Sequence, residues 1–484
     1  MTAQHRPTST NASNGASNGA TTVLAPDRGG RTLRSLIVGK VAQARALGAH
    51  VAAGTLRPVT RLAIIGTGYV GLTTGACFAH LGHDVVCADI DPDKVDRLNR
   101  GEITIVEHRL QELVTRGLSR GNLRFVLGAA NAVAECEIAF LCVPTPQGDD
   151  GSADLSYVQA ACAEIAELLP YESIVVNKST VPVGSTKIVE RVLKRPDVRV
   201  VSNPEFLREG SAVDDFLKPD RVVVGADDRA AAIAVGALYD GVRAQVIVTD
   251  PASAETIKYA ANAFLATKLS FINAIAAICE GVGADVNDVV VGMGYDKRIG
   301  TEFLRPGPGW GGSCFPKDSR ALLKIANDAG YHFDLLAGVI TVNDEQFDRV
   351  TDKIRTAAGG DLTGATIAVW GLTFKARTDD LRDSPSLSII HRLLTAGAKI
   401  RAYDPTVTGP RPGIPDEITV CTDPYDATDG ADVLTVLTEW DDFRWLDPAQ
   451  ITTRMTGRQI IDARNILDRR DWEKAGFTHH GIGR

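Results

Sequence analysis

Hydrophobic and polar positions fall into two stretches of the chain that share one rhythm. Arg61–Ile65 is a short apolar run that predicts a strand; a glycine-rich turn follows, then an Ala/Leu-rich helix that Gly82 ends. A second apolar run over 85–88 closes at Asp89, completing a strand–helix–strand unit of about 30 residues. Runs at 138–143, 173–177 and 198–202 predict three more strands, each opening into a polar loop. From 365 the rhythm returns. Thr366–Trp370 predicts a strand, Ser384 an N-cap for a helix to Leu394, and Lys399–Tyr403 a strand ended by Asp404; runs at 433–437 and 459–461 continue the series. Between the two stretches, residues 254 to 281 are Ala-rich and apolar, too long and too apolar for a simple surface helix; they predict a helix that bridges two domains and packs against a partner subunit. Strands alternating with helices predict parallel sheets. The expected fold is α/β, with two Rossmann-like doubly wound domains joined by a long central helix. The expected divisions are 1–60, 61–253, 254–345 and 346–484.

The first turn, Gly66-Thr67-Gly68-Tyr69-Val70-Gly71, has the G-x-G-x-x-G spacing between a strand and a helix. Glycines there let the main chain approach a pyrophosphate at the helix N-terminus. Asp89 at the end of the second strand suits ribose hydroxyls and repels a 2′-phosphate, which favours NAD over NADP; Lys94 works against that preference slightly. In a doubly wound sheet the C-terminal strand ends gather on one edge. Thr145, Ser179, Thr180, Glu205 and Glu209 thereby become neighbours of the cofactor by topology. The second stretch lacks the glycine motif, and its strand-end cations Lys375, Arg377, Arg382 and Arg464 suit phosphates of a substrate.

Cys314 lies in Gly311-Gly312-Ser313-Cys314-Phe315-Pro316-Lys317-Asp318, with two glycines on one side and a helix opening at Pro316 on the other. A thiol at a helix start sits in a field that favours thiolate. A redox cofactor and an activated thiol together predict oxidation through a thiohemiacetal and a thioester. Lys258 and Asn262 stand four apart on the long helix and share one face.

Composition narrows the setting. The net charge of −8 argues against a general nucleic-acid binder, and no run of 18 uninterrupted apolar residues predicts a membrane span. The eight scattered cysteines form no C-x-x-C pair and no metal-spaced cluster, a usage that fits a reducing cytoplasm and no metal. Residues 7–22 are Ser/Thr/Asn/Gly/Ala-rich and read as disordered, while 32–53 form a candidate basic amphipathic helix in a dispensable tail.

Taken in order, GTGYVG at 66–71, VPTP at 143–146, KSTVPVG at 178–184, NPEFLREG at 203–210, KYAANAF at 258–264, RIG at 298–300, GWGGSCFPKD at 309–318 and GLTFK at 371–375 resemble the nucleotide-sugar 6-dehydrogenase family over roughly 61–470. The resemblance implies four-electron, NAD-dependent oxidation of a sugar C6 alcohol, with UDP-glucose as first choice of substrate and dTDP-glucose or GDP-mannose as alternatives. It implies Cys314 as nucleophile, Glu205 as the base for thioester hydrolysis, and Lys258 and Asn262 on the oxyanion. Asp318 with Lys258 would manage protons, and Thr180 would hold a water. Phe206, Leu207, Phe303, Leu304, Arg305, Gly309, Lys375 and Arg464 are implied substrate positions, and Arg382 a cofactor contact. Arg298 would reach the sugar nucleotide of a neighbouring subunit in a homodimer or larger assembly.

Overall fold

The computed structural model describes residues 59–148 and 151–484. The disordered stretch and basic helix expected before residue 59 lie outside them. The first sheet holds β1 (Arg61–Ile65), β2 (Asp84–Asp89), β3 (Leu123–Leu127), β4 (Ile138–Leu141), β5 (Ile174–Asn177), β6 (Arg199–Ser202), β7 (Arg221–Gly225) and β8 (Gln245–Thr249). Their order is β3-β2-β1-β4-β5-β6-β7-β8. The first six follow the doubly wound order and pair in parallel. β7 then runs antiparallel to β6 and parallel to β8, so the sheet is not wholly parallel. This reversal brings the start of β7 to the edge where β6 ends.

Alternation along β1 shows why the sheet is buried on both faces. Leu62 and Ile64 join one core, Ala63 and Ile65 the other. The second sheet repeats the plan: Ile367 and Val369 point one way, Ala368 and Trp370 the other. It comprises β9 (Thr366–Trp370), β10 (Lys399–Tyr403), β11 (Ile418–Val420), β12 (Val433–Val436), β13 (Gln459–Asp462) and β14 (Thr478–His480), ordered β11-β10-β9-β12-β13-β14 and parallel throughout.

The long helix runs Pro251–Val282. Asp250 caps it by accepting from Ser253 N at 2.9 Å, Pro251 occupies the first turn, and Gly283 ends it in the left-handed conformation. Its length and apolarity would suit a membrane span, but its buried face carries Glu255, Lys258 and Asn262 and packs on the helices Phe315–Asp328 and Asp334–Ala357. The latter helix crosses the expected 345/346 division. On the opposite side, Phe264, Phe271, Ile278 and Val282 form an exposed apolar stripe, each about half exposed or more.

Candidate active site

The cofactor end is built by β1, the turn after it and β2. Gly68 is the N-cap of the helix Tyr69–Leu81 and supplies no side-chain cap, so the N–H groups of Tyr69, Val70 and Gly71 lack intrahelical partners and are available to an anion. A Cβ on Gly71 would lie 1.8 Å from Gly66 O, and a Cβ on Gly68 would meet nothing within 4 Å. The first position demands glycine for packing; the second leaves open space above the turn. Asp89 accepts from Thr67 N at 3.0 Å, from the Thr67 hydroxyl, and from Lys94 Nζ at 2.9 Å. Burial pushes its carboxyl up, but the Thr67 and Lys94 bonds prevail and hold it down at about 2. The carboxylate is thus ionised and preset, and Lys94 is spent on it rather than left to a 2′-phosphate. These features fit a dinucleotide. Asp89→Asn is expected to raise the KM for NAD about tenfold, the weight of one charged hydrogen bond, with less change for NADP; initial rates with both cofactors check this, and an unchanged preference would refute the role of Asp89.

Around the turn, Thr145 Oγ1 donates to Thr180 O at 2.8 Å and Ser179 Oγ to Val143 O at 2.6 Å. These two hydroxyls tie the loops after β4 and β5 together at the sheet edge. Tyr69 shares a short hydrogen bond with Glu107, and both accept from Gly210 N, at 2.8 and 2.7 Å. The cofactor turn is thereby fastened to the loop that carries Glu205 and Glu209.

The reactive end gathers Glu205, Lys258, Asn262, Cys314 and Asp318. Lys258 and Asn262 are 3% and 7% exposed, so neither is a solvated helix residue. Lys258 Nζ donates to Glu205 Oε1 at 2.8 Å, while Glu205 Oε2 accepts from Leu207 N at 2.6 Å. Burial opposes both charges, yet the pair outweighs it: Lys258 is raised above the usual lysine range and Glu205 lowered below the usual carboxylate range. The Phe206 ring packs between cations, with Arg221 at 3.6 Å from its centroid and Lys258 at 5.5 Å. Asp318, fully buried, accepts from Asn262 Nδ2 at 2.6 Å and Lys317 Nζ at 2.7 Å. Its direct partners are therefore Asn262 and Lys317, not Lys258, because Lys258 reaches across to Glu205 in the loop after β6 instead.

Cys314 is the N-cap of the helix Phe315–Asp328, with Pro316 in the first turn. Of the eight cysteines, all free, seven are buried and this one is partly exposed. The expected thiolate is corrected here. Burial, followed by Glu205 and Asp318, pushes the thiol up, and the Lys258 charge and the Ser313 hydroxyl only partly offset it. The residue keeps some exposed surface, but its sulfur is desolvated, and that outweighs the helix-end field.

The cysteine loop and the loop after β6 both meet the second domain along main chain. A Cβ on Gly311 would stand 1.9 Å from Asp383 O, and one on Gly210 2.7 Å from Arg377 O. Glu209 links the same parts: Oε1 accepts from Ser313 Oγ at 3.1 Å and lies 3.5 Å from Arg382 Nη2, while Oε2 accepts from Thr378 Oγ1 at 3.1 Å. Lys375 sits over the Phe374 ring and forms no ion pair among the described residues. Arg464 donates to Leu437 O and Phe374 O at 2.7 and 3.0 Å and pairs with Glu439 at 3.1 Å, fixing the loop that bears Lys375. Leu304 is buried, Phe303 adopts φ 60° beside the Phe315 ring, and Arg305 is exposed. Arg298 is exposed and pairs only with its neighbour Asp296, so a single chain does not bring it to this site.

Several supporting residues escape sequence reasoning. Ser270 and Asn273 continue the Lys258–Asn262 face of the long helix. Asn273 accepts from Gly307 N at 2.9 Å; Gln346 donates to Gly307 O at 2.8 Å; Asn343 bonds both Trp310 N and Trp310 O. These amides hold the loop containing Gly309, whose φ is 122°. Buried Lys178 donates to Asn203 Oδ1 at 3.1 Å and Tyr239 OH at 3.0 Å, and burial lowers it to about 8. The polar spacing on the two helices was the available signal for the amides; a lysine closing a strand gave the signal for Lys178.

Residues 60–243, 252–345 and 368–469 match in turn the NAD binding, central and UDP binding domains of the UDP-glucose/GDP-mannose dehydrogenase family. The chain is 45% identical over 434 residues to the UDP-glucose 6-dehydrogenase of Rhizobium meliloti (strain 1021), covering 88% of this chain and 99% of that protein. It is 45% identical over 430 residues to UDP-glucose 6-dehydrogenase TuaD of Bacillus subtilis (strain 168), covering 88% and 93%. A solved UDP-glucose dehydrogenase from Pyrobaculum islandicum superposes with TM-score 0.81 at 37% identity, over 86% of this chain and 98% of that one.

Proposed function

The chain belongs to the UDP-glucose/GDP-mannose dehydrogenase family, and from that premise we propose that it oxidises the C6 alcohol of UDP-glucose to the carboxylate of UDP-glucuronate in two NAD-dependent steps at Cys314. It is an NAD-dependent nucleotide-sugar dehydrogenase. The observation that carries the covalent reading is the placement of the one partly exposed thiol beside a buried Lys258–Glu205 pair and an Asn262–Asp318 pair.

The first-domain turn at Gly66–Gly71 and Asp89 would hold NAD, which takes up hydride in each oxidation. The loop residues Lys375 and Arg464 would meet the sugar nucleotide from the second domain. Lys258 places positive charge where the alcohol oxygen, and later the tetrahedral oxygen, becomes anionic; an anionic oxygen expels hydride more readily. The sulfur of Cys314 adds to the aldehyde carbon, giving a thiohemiacetal whose oxidation leaves a thioester. A water attacks that thioester, its proton passes to the ionised Glu205, and the C–S bond breaks to release the acid. The exposed apolar stripe on the long helix and the outlying Arg298 support a homodimer or larger assembly in which Arg298 serves the neighbour's site. Free, buried thiols support a reducing cytoplasm.

Turnover of UDP-glucose, dTDP-glucose and GDP-mannose, with NADH counted against sugar consumed, tests the reading. UDP-glucose is expected to give the highest kcat/KM and two equivalents of NADH per sugar, by the electron balance of alcohol to acid. One equivalent with free aldehyde as end product would overturn the covalent route; preference for another nucleotide would move the substrate.

A further inference from the structure

Two successive contacts lead from the nucleophile to the boundary between the two halves. Cys314 Sγ is 3.6 Å from Ser313 Oγ, and Ser313 Oγ is 3.1 Å from Glu209 Oε1. The mechanism above leaves the thiol proton without a destination. Of the carboxylates around the sulfur, Glu205 is bonded to Lys258 and Leu207 N and Asp318 to Asn262 and Lys317; Glu209, which also accepts from Thr378 and lies 3.5 Å from Arg382, is the one that the Ser313 hydroxyl reaches. We propose that Ser313 is a catalytic relay that passes the thiol proton of Cys314 to the carboxylate of Glu209, making the thiolate in place.

In that step the S–H bond breaks and leaves its electron pair on sulfur. The proton moves to Ser313 Oγ as the hydroxyl's own proton moves to Glu209 Oε1. The serine ends neutral as it began, the carboxylate becomes a carboxylic acid, and nothing is oxidised or reduced. The sulfur pair then forms the C–S bond to the aldehyde. After hydrolysis the reverse transfer restores the thiol.

Both ends suit the exchange. Burial keeps the thiol protonated in the resting site, while Lys258 favours thiolate once the proton has a taker; Glu205 and Asp318 oppose it. At the far end, burial and Asp380 push the Glu209 carboxyl well above the usual carboxylate range, against Arg382, Ser313 and Lys375. A carboxylate so raised is a better proton acceptor near neutral pH. The Tyr69 hydroxyl nearby is raised by its own burial and by Glu107, and stays protonated. Thr378 and Arg382 come from the second domain, so the acceptor is complete only with the loop 371–383 seated.

This rests on Cys314 as nucleophile, and the test separates the two. The full-length enzyme without substrate or NAD is alkylated by iodoacetamide from about pH 5.5 to about pH 10, a span covering both groups. Peptide mass spectrometry follows Cys314 against the seven buried cysteines. The wild type is expected to show a step near neutrality and a further alkaline rise. Ser313→Ala and Glu209→Gln are each expected to lose the neutral step and about tenfold in alkylation rate at pH 7, keeping the alkaline limit. Ser313→Thr, which keeps the hydroxyl, is expected to restore it. In turnover, Ser313→Ala is expected to lose about 10²-fold in kcat with KM for the sugar nucleotide within about twofold of wild type. A wild-type alkylation profile in Ser313→Ala overturns the relay, whatever happens to kcat, and so does failure of Ser313→Thr to recover the step. Acid production by Cys314→Ser would instead remove the nucleophile reading itself; an inert Cys314→Ser alongside an unshifted Ser313→Ala profile would remove the relay alone.

Discussion

Cys314→Ser is expected to bind NAD and UDP-glucose about as well as wild type while forming acid at least about 10³-fold more slowly, the scale seen when a covalent nucleophile is deleted. The reasoning is chemical rather than steric. Ser and Cys are close in size, and a partly exposed N-cap position tolerates the exchange. A hydroxyl in the same place ionises several decades less readily than a thiol, and the site's burial raises that barrier further. Without the C–S bond the second hydride can come only from the aldehyde's hydrate, which no covalent bond holds at this position. Calorimetry with each ligand and mass-spectrometric measurement of uridine-diphosphate sugar acid check the two halves of the expectation. Sustained acid formation would refute it.

Lys258→Met should carry the second largest effect, and on stability as well as rate. Removing one partner of a buried pair leaves the other as an uncompensated charge, at a cost of about 3–5 kcal/mol. Here the orphan is Glu205, 6% exposed. Turnover is expected to fall about 10²–10³-fold, since a donor to the developing oxyanion is lost. The pH dependence of stability has a definite sign. In the wild type Glu205 is held below its ordinary value, so its contribution is present above the unfolded-state pKa and fades as pH falls through the lowered one. In the variant the Leu207 N–H and the Lys178 charge still favour the carboxylate, but with both Lys258 contributions lost burial is expected to prevail and raise the carboxyl, so the deficit grows from acid toward neutral pH. Denaturant midpoints at acid and neutral pH test this; a deficit equal at both would show that Glu205 is not the orphaned charge.

Much of the fold could be read from local pattern, because the strand–turn–helix–strand unit at 61–89 and its echo at 366–403 are written in contiguous residues. β7 and β8 were not foreseen, although RVVVG and QVIVT carry β-branched runs; the reversal at β6 is a matter of chain path, which periodicity does not encode. In the site, helical spacing puts Lys258 and Asn262 on one face but does not by itself separate them from solvated helix residues, and their role comes from the family resemblance; Cys314 stands out through its glycines together with the cofactor turn. Partnership was less so. Asp318 turns to Lys317 and Asn262, and the thiol is pushed up rather than down, because both outcomes depend on burial by segments distant in the chain. The amides of Asn273, Asn343 and Gln346 act on a loop 33 to 39 residues away and have no local signature beyond polarity on an otherwise packed face.

The glycine contacts that the cysteine loop and the loop after β6 make with the second domain would set how the two ligands find each other. On the proposed reading one sheet holds the electron acceptor and the other the donor's handle, so neither binding constant alone reports on reactivity. What decides reactivity is registry, and at Gly311 and Gly210 registry is gauged by bare carbonyls pressed against Cβ-free backbone. Ordinary surface drift alters side chains and leaves such a gauge untouched. Under that reading the approach of sulfur to cofactor is set through the main chain, so a substitution on an outer face can change an affinity while the meeting point stays put.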